Sequence, residues 1–264
     1  MTPAPPAAQG TERRPHIAEW FGHRVFPDVA ASGQAVSDQR AQRCPFLTQT
    51  LEEDRPCVKA AASRGVCTIS AASNGPRQDW LVCPYRALDE GLLAGMVRRL
   101  YAIAEDDPVL IKPVTVLETP DIRADILRAA EPGDPRRAFV YFQDKLGGEI
   151  GLRKTQRSPE LSFDITVAEL TGQRGTRGDG GIRVGRYAVI ELQTTDTHGS
   201  YSHAVAAMRN ALDLHESNFH QMIADNPDWA GRKVEGPNIS NVFKRTFYQV
   251  AFKFQVTRRD TSAG

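Results

Sequence analysis

Asp164, Glu191 and Gln193 are the side chains of this sequence whose types and spacing point most directly to chemistry. Leu161 to Val167 alternates strictly, so Leu161, Phe163, Ile165 and Val167 are expected to face a core while Asp164 looks the other way. Tyr187 to Thr194 is apolar until Glu191-Leu192-Gln193, where the two-residue period of a strand puts Glu191 and Gln193 on one face and Leu192 opposite. Side by side, the two strands would bring a carboxylate from one, and a carboxylate plus an amide from the other, to one divalent cation. Hard cations such as magnesium take oxygen ligands, usually one or two carboxylates with waters and phosphate oxygens. Metal-assisted phosphodiester hydrolysis is the chemistry such a set serves. Gln193 would orient the attacking water by hydrogen bonding without carrying charge. The competing reading is an ordinary polar strand face.

Other groups extend the set. Glu149, fifteen residues before Asp164, reads either as a further polar group at the cleft or as a polar turn residue. Thr171 to Arg186 holds six glycines and four arginines against one aspartate. It is expected to be a flexible loop whose Arg174, Arg177 and Arg183 grip phosphates or read guanine O6 and N7, or else a solvated insertion. His198 follows near enough in sequence to touch a phosphate in one reading and is incidental in the other.

All four cysteines, Cys44, Cys57, Cys67 and Cys83, fall within forty residues, with twelve, nine and fifteen residues between successive members. Nothing in the chain suggests secretion, so a disulfide framework does not fit. The thiols read either as ligands of one structural metal or as four buried thiols. Thiolates suit zinc or iron in tetrahedral geometry, and Pro45 and Pro84 would fix the turn after a ligand.

The elements that must position these groups follow from periodicity. His16 to Pro27 reads as a short helix followed by a turn, and the stretches between cysteines as strand and loop. Leu88, Leu92, Met96 and Leu100 recur at helical spacing and predict a core-facing helix with Arg98 and Arg99 outside. Pro120 suits the start of a helix over Asp121 to Ala130, with Ile122, Ile126 and Leu127 on one face. Ala138 to Phe142 reads as a strand, and Tyr201 to His215 as a helix with Val205, Met208 and Leu212 inward. Ser240 suits the cap of a last helix carrying Phe243, Phe247, Val250, Ala251 and Phe254 on one stripe, decorated by Lys244, Arg245 and Lys253.

With 264 residues, 41% hydrophobic content and a net charge of +1, the chain can bury a sizeable core and is not a globally basic nucleic-acid binder. Its charge is uneven. Arg232 to Arg259 holds seven Lys/Arg against one acid, and Glu105 to Asp134 eight acids against three bases, so a DNA-facing surface must be local. No apolar run approaches a membrane span, and the first fifteen residues lack the apolar centre of a signal peptide; a cytoplasmic protein is expected.

Ordered blocks of the chain resemble one known family. They are FGHRVFPDV from Phe21, CPF at Cys44, CVK at Cys57, SRGVC ending at Cys67, DWLVCP ending at Pro84 and RALD from Arg86. Further along come YFQDKLGGE ending at Glu149, SPELSFD ending at Asp164, IELQT from Ile190, HGSYSHAV from His198 and EGPNISNVFKRTFYQ from Glu235. Together they make the chain similar to the NotI-like type II restriction endonucleases of the PD-(D/E)xK superfamily, with glutamine where that motif has lysine. The resemblance implies an α/β fold: a restriction-endonuclease-like mixed sheet flanked by helices, with a small N-terminal four-cysteine metal-binding subdomain. It divides the chain into 1–15, a disordered N-terminus; 16–86, the four-cysteine subdomain; 87–254, the nuclease core; and 255–264, a flexible tail cut short relative to that family. It implies a homodimer that cuts double-stranded DNA at a GC-rich palindrome and leaves 5′-phosphate ends, with a cognate DNA methyltransferase in the same system. Catalytic roles fall on Glu149, Asp164, Glu191 and Gln193, with magnesium on Asp164 and Glu191. The four cysteines would hold structural iron, zinc being the alternative, and Arg174, Arg177, Arg183, Lys244 and Arg245 would contact DNA. Two rival functions fit the same residues: a catalytically inactive, metal-stapled DNA-binding remnant, and an iron-sulfur nuclease that processes DNA ends.

Overall fold

The computed structural model describes residues 14–26, 32–72, 75–143, 151–152, 161–172, 182–195, 197 and 199–260. Among them the protein is mixed α/β, with two four-stranded sheets, a two-stranded ladder and eight α-helices. The chain divides into two compact units. One takes Met1–Gln49, Glu53–Arg86 and Gln193–Thr246, the other Thr50–Glu52, Ala87–Leu192 and Phe247–Gly264. The four-cysteine stretch therefore shares its unit with a segment from beyond the second acidic strand.

In the first unit, β1 (His16–Trp20), β2 (His23–Arg24), α1 (Gly33–Ala41) and α2 (Pro45–Leu51) precede β3 (Val66–Ala72) and β4 (Arg77–Leu81). The strands form an antiparallel sheet in the order β2-β1-β3-β4. The helix expected over His16 to Pro27 is thus a strand and a tight turn. Ile17 pairs with Ile69, and both Ile17 and Ala18 are fully buried, so this short apolar run is a two-sided core strand. Phe21 and Gly22, at φ 51 and 79, turn it back.

In the second unit, α3 (Glu90–Tyr101) starts at Asp89, whose Oδ1 accepts the Leu92 N–H at 2.9 Å. Its buried face is Leu93, Val97 and Tyr101, while Leu92 and Leu100 are exposed. The expected stripe was one residue out of phase. Tyr101 decides between the two rows: its hydroxyl donates to the Val167 carbonyl at 3.0 Å, and its ring packs edge-on against Phe139. Then come β5 (Val109–Pro113), α4 (Pro120–Ala129), β6 (Arg137–Gln143), the short β7 (Gly151–Leu152) and β8 (Leu161–Ser162), β9 (Ile165–Gly172) and β10 (Ile182–Ile190). The main sheet runs β10-β9-β6-β5, with β5 and β6 parallel across the α4 crossover and the other pairs antiparallel. Ile126 and Ala129 of α4 pack on Ala138, Val140 and Ala168.

The chain then returns to the first unit with α5 (Ser202–Leu214), α6 (Phe219–Asp225) and α7 (Asp228–Gly231). Val205, Met208 and Leu212 of α5 are buried as its periodicity predicts, in one core with Ile17, Trp20, Val66, Ile69, Phe219 and Ile223. The last helix, α8 (Ile239–Asp260), departs from expectation in two ways. Ser240 lies inside it, and the side chain at its start that accepts a backbone N–H is Asn238, from Asn241 at 3.3 Å. Helix continues to Asp260, through most of the stretch expected to be a flexible tail. Its aromatic stripe of Phe243, Phe247 and Phe254 is exposed. No helix among the described residues is long and apolar enough to cross a membrane.

Candidate functional site

Strand register brings the two acids together. Ile165 of β9 and Ile190 of β10 are the last pair of their antiparallel ladder, so Asp164 and Glu191, one step beyond on each strand, come out at the same end. The tie is direct: the Leu192 N–H donates to Asp164 Oδ2 at 2.8 Å. Phe163, Ile165 and Val167 are buried as expected, but the run is not one alternating strand: it breaks at Phe163–Asp164 between β8 and β9, and Thr166 and Ala168 of β9 are buried too. Burial pushes the Glu191 carboxyl above its ordinary range, while the Lys253 ammonium pulls it down and the neighbouring Asp164 pushes it up. Glu191 Oε2 accepts from Lys253 Nζ at 2.5 Å, whereas Oε1 is buried without a hydrogen-bond partner.

A buried carboxylate oxygen left unmatched is costly. Two adjacent carboxylates with one such oxygen fit what a hard divalent cation takes from a protein. Among the described residues there is no group of three or more His, Cys, Asp or Glu side chains set to hold an ion.

The remaining expected residues are spread differently. Glu149, Arg174, Arg177 and His198 lie outside the described residues. Gln193 belongs to the first unit, and its side-chain amide donates to the Thr194 carbonyl at 3.0 Å. Part of the arginine-rich stretch is strand rather than loop: β9 runs to Gly172 and β10 begins at Ile182. Arg183 is therefore an exposed strand residue, and Arg186 pairs with Glu169 at 3.3 Å. Lys244 and Arg245 are exposed on α8. Lys253, expected to decorate the same helix, instead bonds Glu191 and places its Nζ 5.5 Å from the centre of the Phe163 ring.

The four cysteines share a neighbourhood in the first unit. Cys44 precedes α2 and donates its N–H to the Arg55 carbonyl at 2.7 Å, while the Cys57 N–H reaches Gln42 at 2.8 Å. Cys67 lies on β3, and the Cys83 N–H returns to its carbonyl at 3.1 Å. All four are free thiols. Burial raises Cys44 to about 11 and lifts Cys67 and Cys83 as well, and the sulfurs act on one another through their charge. Backbone N–H groups point at sulfur: Gly22 to Cys67 Sγ and Gly65 to Cys57 Sγ, each at 3.3 Å. Lys59 sits beside the cluster, its Nζ donating to the Val66 carbonyl at 2.8 Å. The N–H donors and Lys59 favour charge on sulfur while burial opposes it, and the sulfurs do not stand as a closed ligand set.

Sequence reasoning missed Gly22, Gly65, Lys59 and Lys253. The glycines carry a local signal, since Phe-Gly-His and Arg-Gly-Val each place a glycine beside bulky residues. Lys59 follows Cys57 by two residues and was open to the same reasoning. Lys253 carries no such signal, because its partner lies 62 residues away. No protein-family model matches the chain, and no characterised protein matches it with significance.

Proposed function

We propose that this protein is a type II restriction endonuclease built on a PD-(D/E)xK-like core, cutting double-stranded DNA at a GC-rich palindrome as a homodimer. The observation that carries the reading is the Asp164–Glu191 pair at one end of the β9–β10 ladder, with a buried Glu191 oxygen that receives no hydrogen bond. Asp164 and Glu191 would hold magnesium, which when bound neutralises charge on the phosphoryl oxygens and lowers the pKa of a water. Asp164 is aimed by the Leu192 N–H, and Glu191 by Lys253. In the reaction, a water oxygen bonds to phosphorus as the bond to the 3′ oxygen breaks. The proton released from water is taken up through solvent by that oxygen, leaving a 5′-phosphate and a 3′-hydroxyl. Roles for Glu149 and Gln193 rest on the family resemblance alone.

The four cysteines would hold one structural iron, or zinc, through thiolates supported by the Gly22 and Gly65 N–H groups. Arg183, Lys244 and Arg245 are exposed cations that would meet phosphates; Arg174 and Arg177 complete the proposed set. A two-fold dimer suits a palindrome because each protomer reads one half. The enzyme would work in the cytoplasm beside a methyltransferase that protects the host's own sites.

Digestion of unmethylated GC-rich plasmid with magnesium, followed by sequencing of the ends, tests the reading. The parent should give discrete 5′-phosphate ends at one palindrome, while Asp164→Ala should cut at least about 1,000-fold more slowly and still bind the site. Cleavage by Asp164→Ala at the parental rate would remove Asp164 from the site. Specific binding without cleavage by the metal-loaded parent would leave the binding-only remnant.

A further inference from the structure

We infer that Lys253 is a positioning residue of the proposed cleavage site, its ammonium holding one oxygen of Glu191 so that the other is presented to the cation. The inference rests on the nuclease reading above. Lys253 Nζ lies 2.5 Å from Glu191 Oε2, with the two side chains only 14% and 18% exposed. The ammonium also lies over the face of Phe163, the residue before Asp164, 5.5 Å from the ring centre. It is therefore confined between an aromatic face and a carboxylate, beside the acid pair. The bond takes Oε2 and leaves Oε1 buried without a partner.

An apolar replacement of a largely buried ion pair is often neutral or stabilising, so fold stability alone gives this pair little reason to exist. Orientation gives it one. A cation held in place before the reaction costs no reorganisation as negative charge builds at the phosphoryl oxygens. Where the nuclease motif has lysine, this chain has Gln193, uncharged and bonded to the Thr194 carbonyl. The fixed positive charge at the acid pair comes instead from α8.

Full-length parent, Lys253→Met and Lys253→Arg are compared in three measurements: cleavage of the same plasmid at saturating magnesium, calorimetric titration with manganese without DNA, and thermal melting. For Lys253→Met the expected kcat is about 100-fold lower, with KM for DNA within about threefold of the parent and most of the rate restored in Lys253→Arg. Manganese binding should tighten by up to about tenfold, because a competing positive charge has gone. Slower chemistry with tighter metal binding is a combination that a purely structural ion pair would not produce.

Cleavage by Lys253→Met at the rate of an active parent overturns the inference and leaves the nuclease reading standing. So does loss of manganese binding together with rate in a variant that melts like the parent, since Lys253 would then build the metal site rather than aim it. A well-folded parent that cuts no unmethylated DNA overturns the nuclease reading and takes this inference with it.

Discussion

His16 lies in β1 with only 2% of its surface exposed, and burial brings its pKa down from 6.5 to about 4. Its Nε2 has no partner, and its ring packs edge-on against Phe26. The group is neutral when folded at neutral pH, whereas the unfolded chain takes up the proton near 6.5. A depressed folded pKa gives stability that is present above the unfolded value and lost as pH falls through the folded one. Unfolding free energy should therefore drop by about 3 kcal/mol between pH 6.5 and 4. His16→Gln should flatten that part of a denaturation-versus-pH series; an unchanged slope would assign the acid sensitivity elsewhere. The acid pair shows the same competition, because burial raises Glu191 while Lys253 draws it back.

Among the elements, the turn into β3 links the fold to the cysteines. Gly65 sits at φ +83, and a Cβ there would lie 2.6 Å from Phe21 Cε2 and 2.6 Å from Trp20 Nε1, both side chains of the core. Its N–H also serves Cys57 Sγ. Gly65→Ala should cost about 3 kcal/mol through left-handed strain and displaced rings. If the cysteines hold the proposed iron or zinc, the change should also lower the metal found per chain by elemental analysis. Gly33→Ala is the control: nothing lies within 4 Å of its Cβ at the start of α1, so the change should be neutral or slightly stabilising. Equal denaturation midpoints for the two variants would refute this account of the turn.

At the scale of the whole molecule, the feature left unexplained by either core is the face of α8. Phe243, Phe247, Val250 and Phe254 follow a four-three-four spacing, and the three phenylalanines are 60–71% exposed, with Tyr248 beside them. A seam at that spacing is complementary to another copy of itself. These side chains would cover roughly 600 Å², and a stable interface takes about 800 Å² from each partner. The proposed homodimer would use this face. In sedimentation the parent should be a dimer at micromolar concentration, and Phe247→Ser with Phe254→Ser should shift it to monomer without lowering the melting temperature by more than a few degrees. A dimer that survives both changes would place the interface elsewhere.

What the amino-acid sequence determined by itself was whatever depends on short-range stereochemistry. Apolar side chains marked Phe163, Ile165 and Val167 as buried, and 3.6-residue periodicity put Val205, Met208 and Leu212 inward. The types and positions of Asp164 and Glu191 pointed to one strand end. Tertiary structure decided the rest. It made a strand of His16–Trp20 because β3 was available to pair with it, and it chose the Leu93–Val97–Tyr101 row over its neighbour because Tyr101 could reach Val167 and Phe139. It left Phe243 and Phe247 of α8 exposed. It also brought Lys253 to Glu191 across 62 residues. Periodicity says which side chains share a face. What that face meets depends on packing free energies between segments far apart in the chain, and these no local pattern encodes.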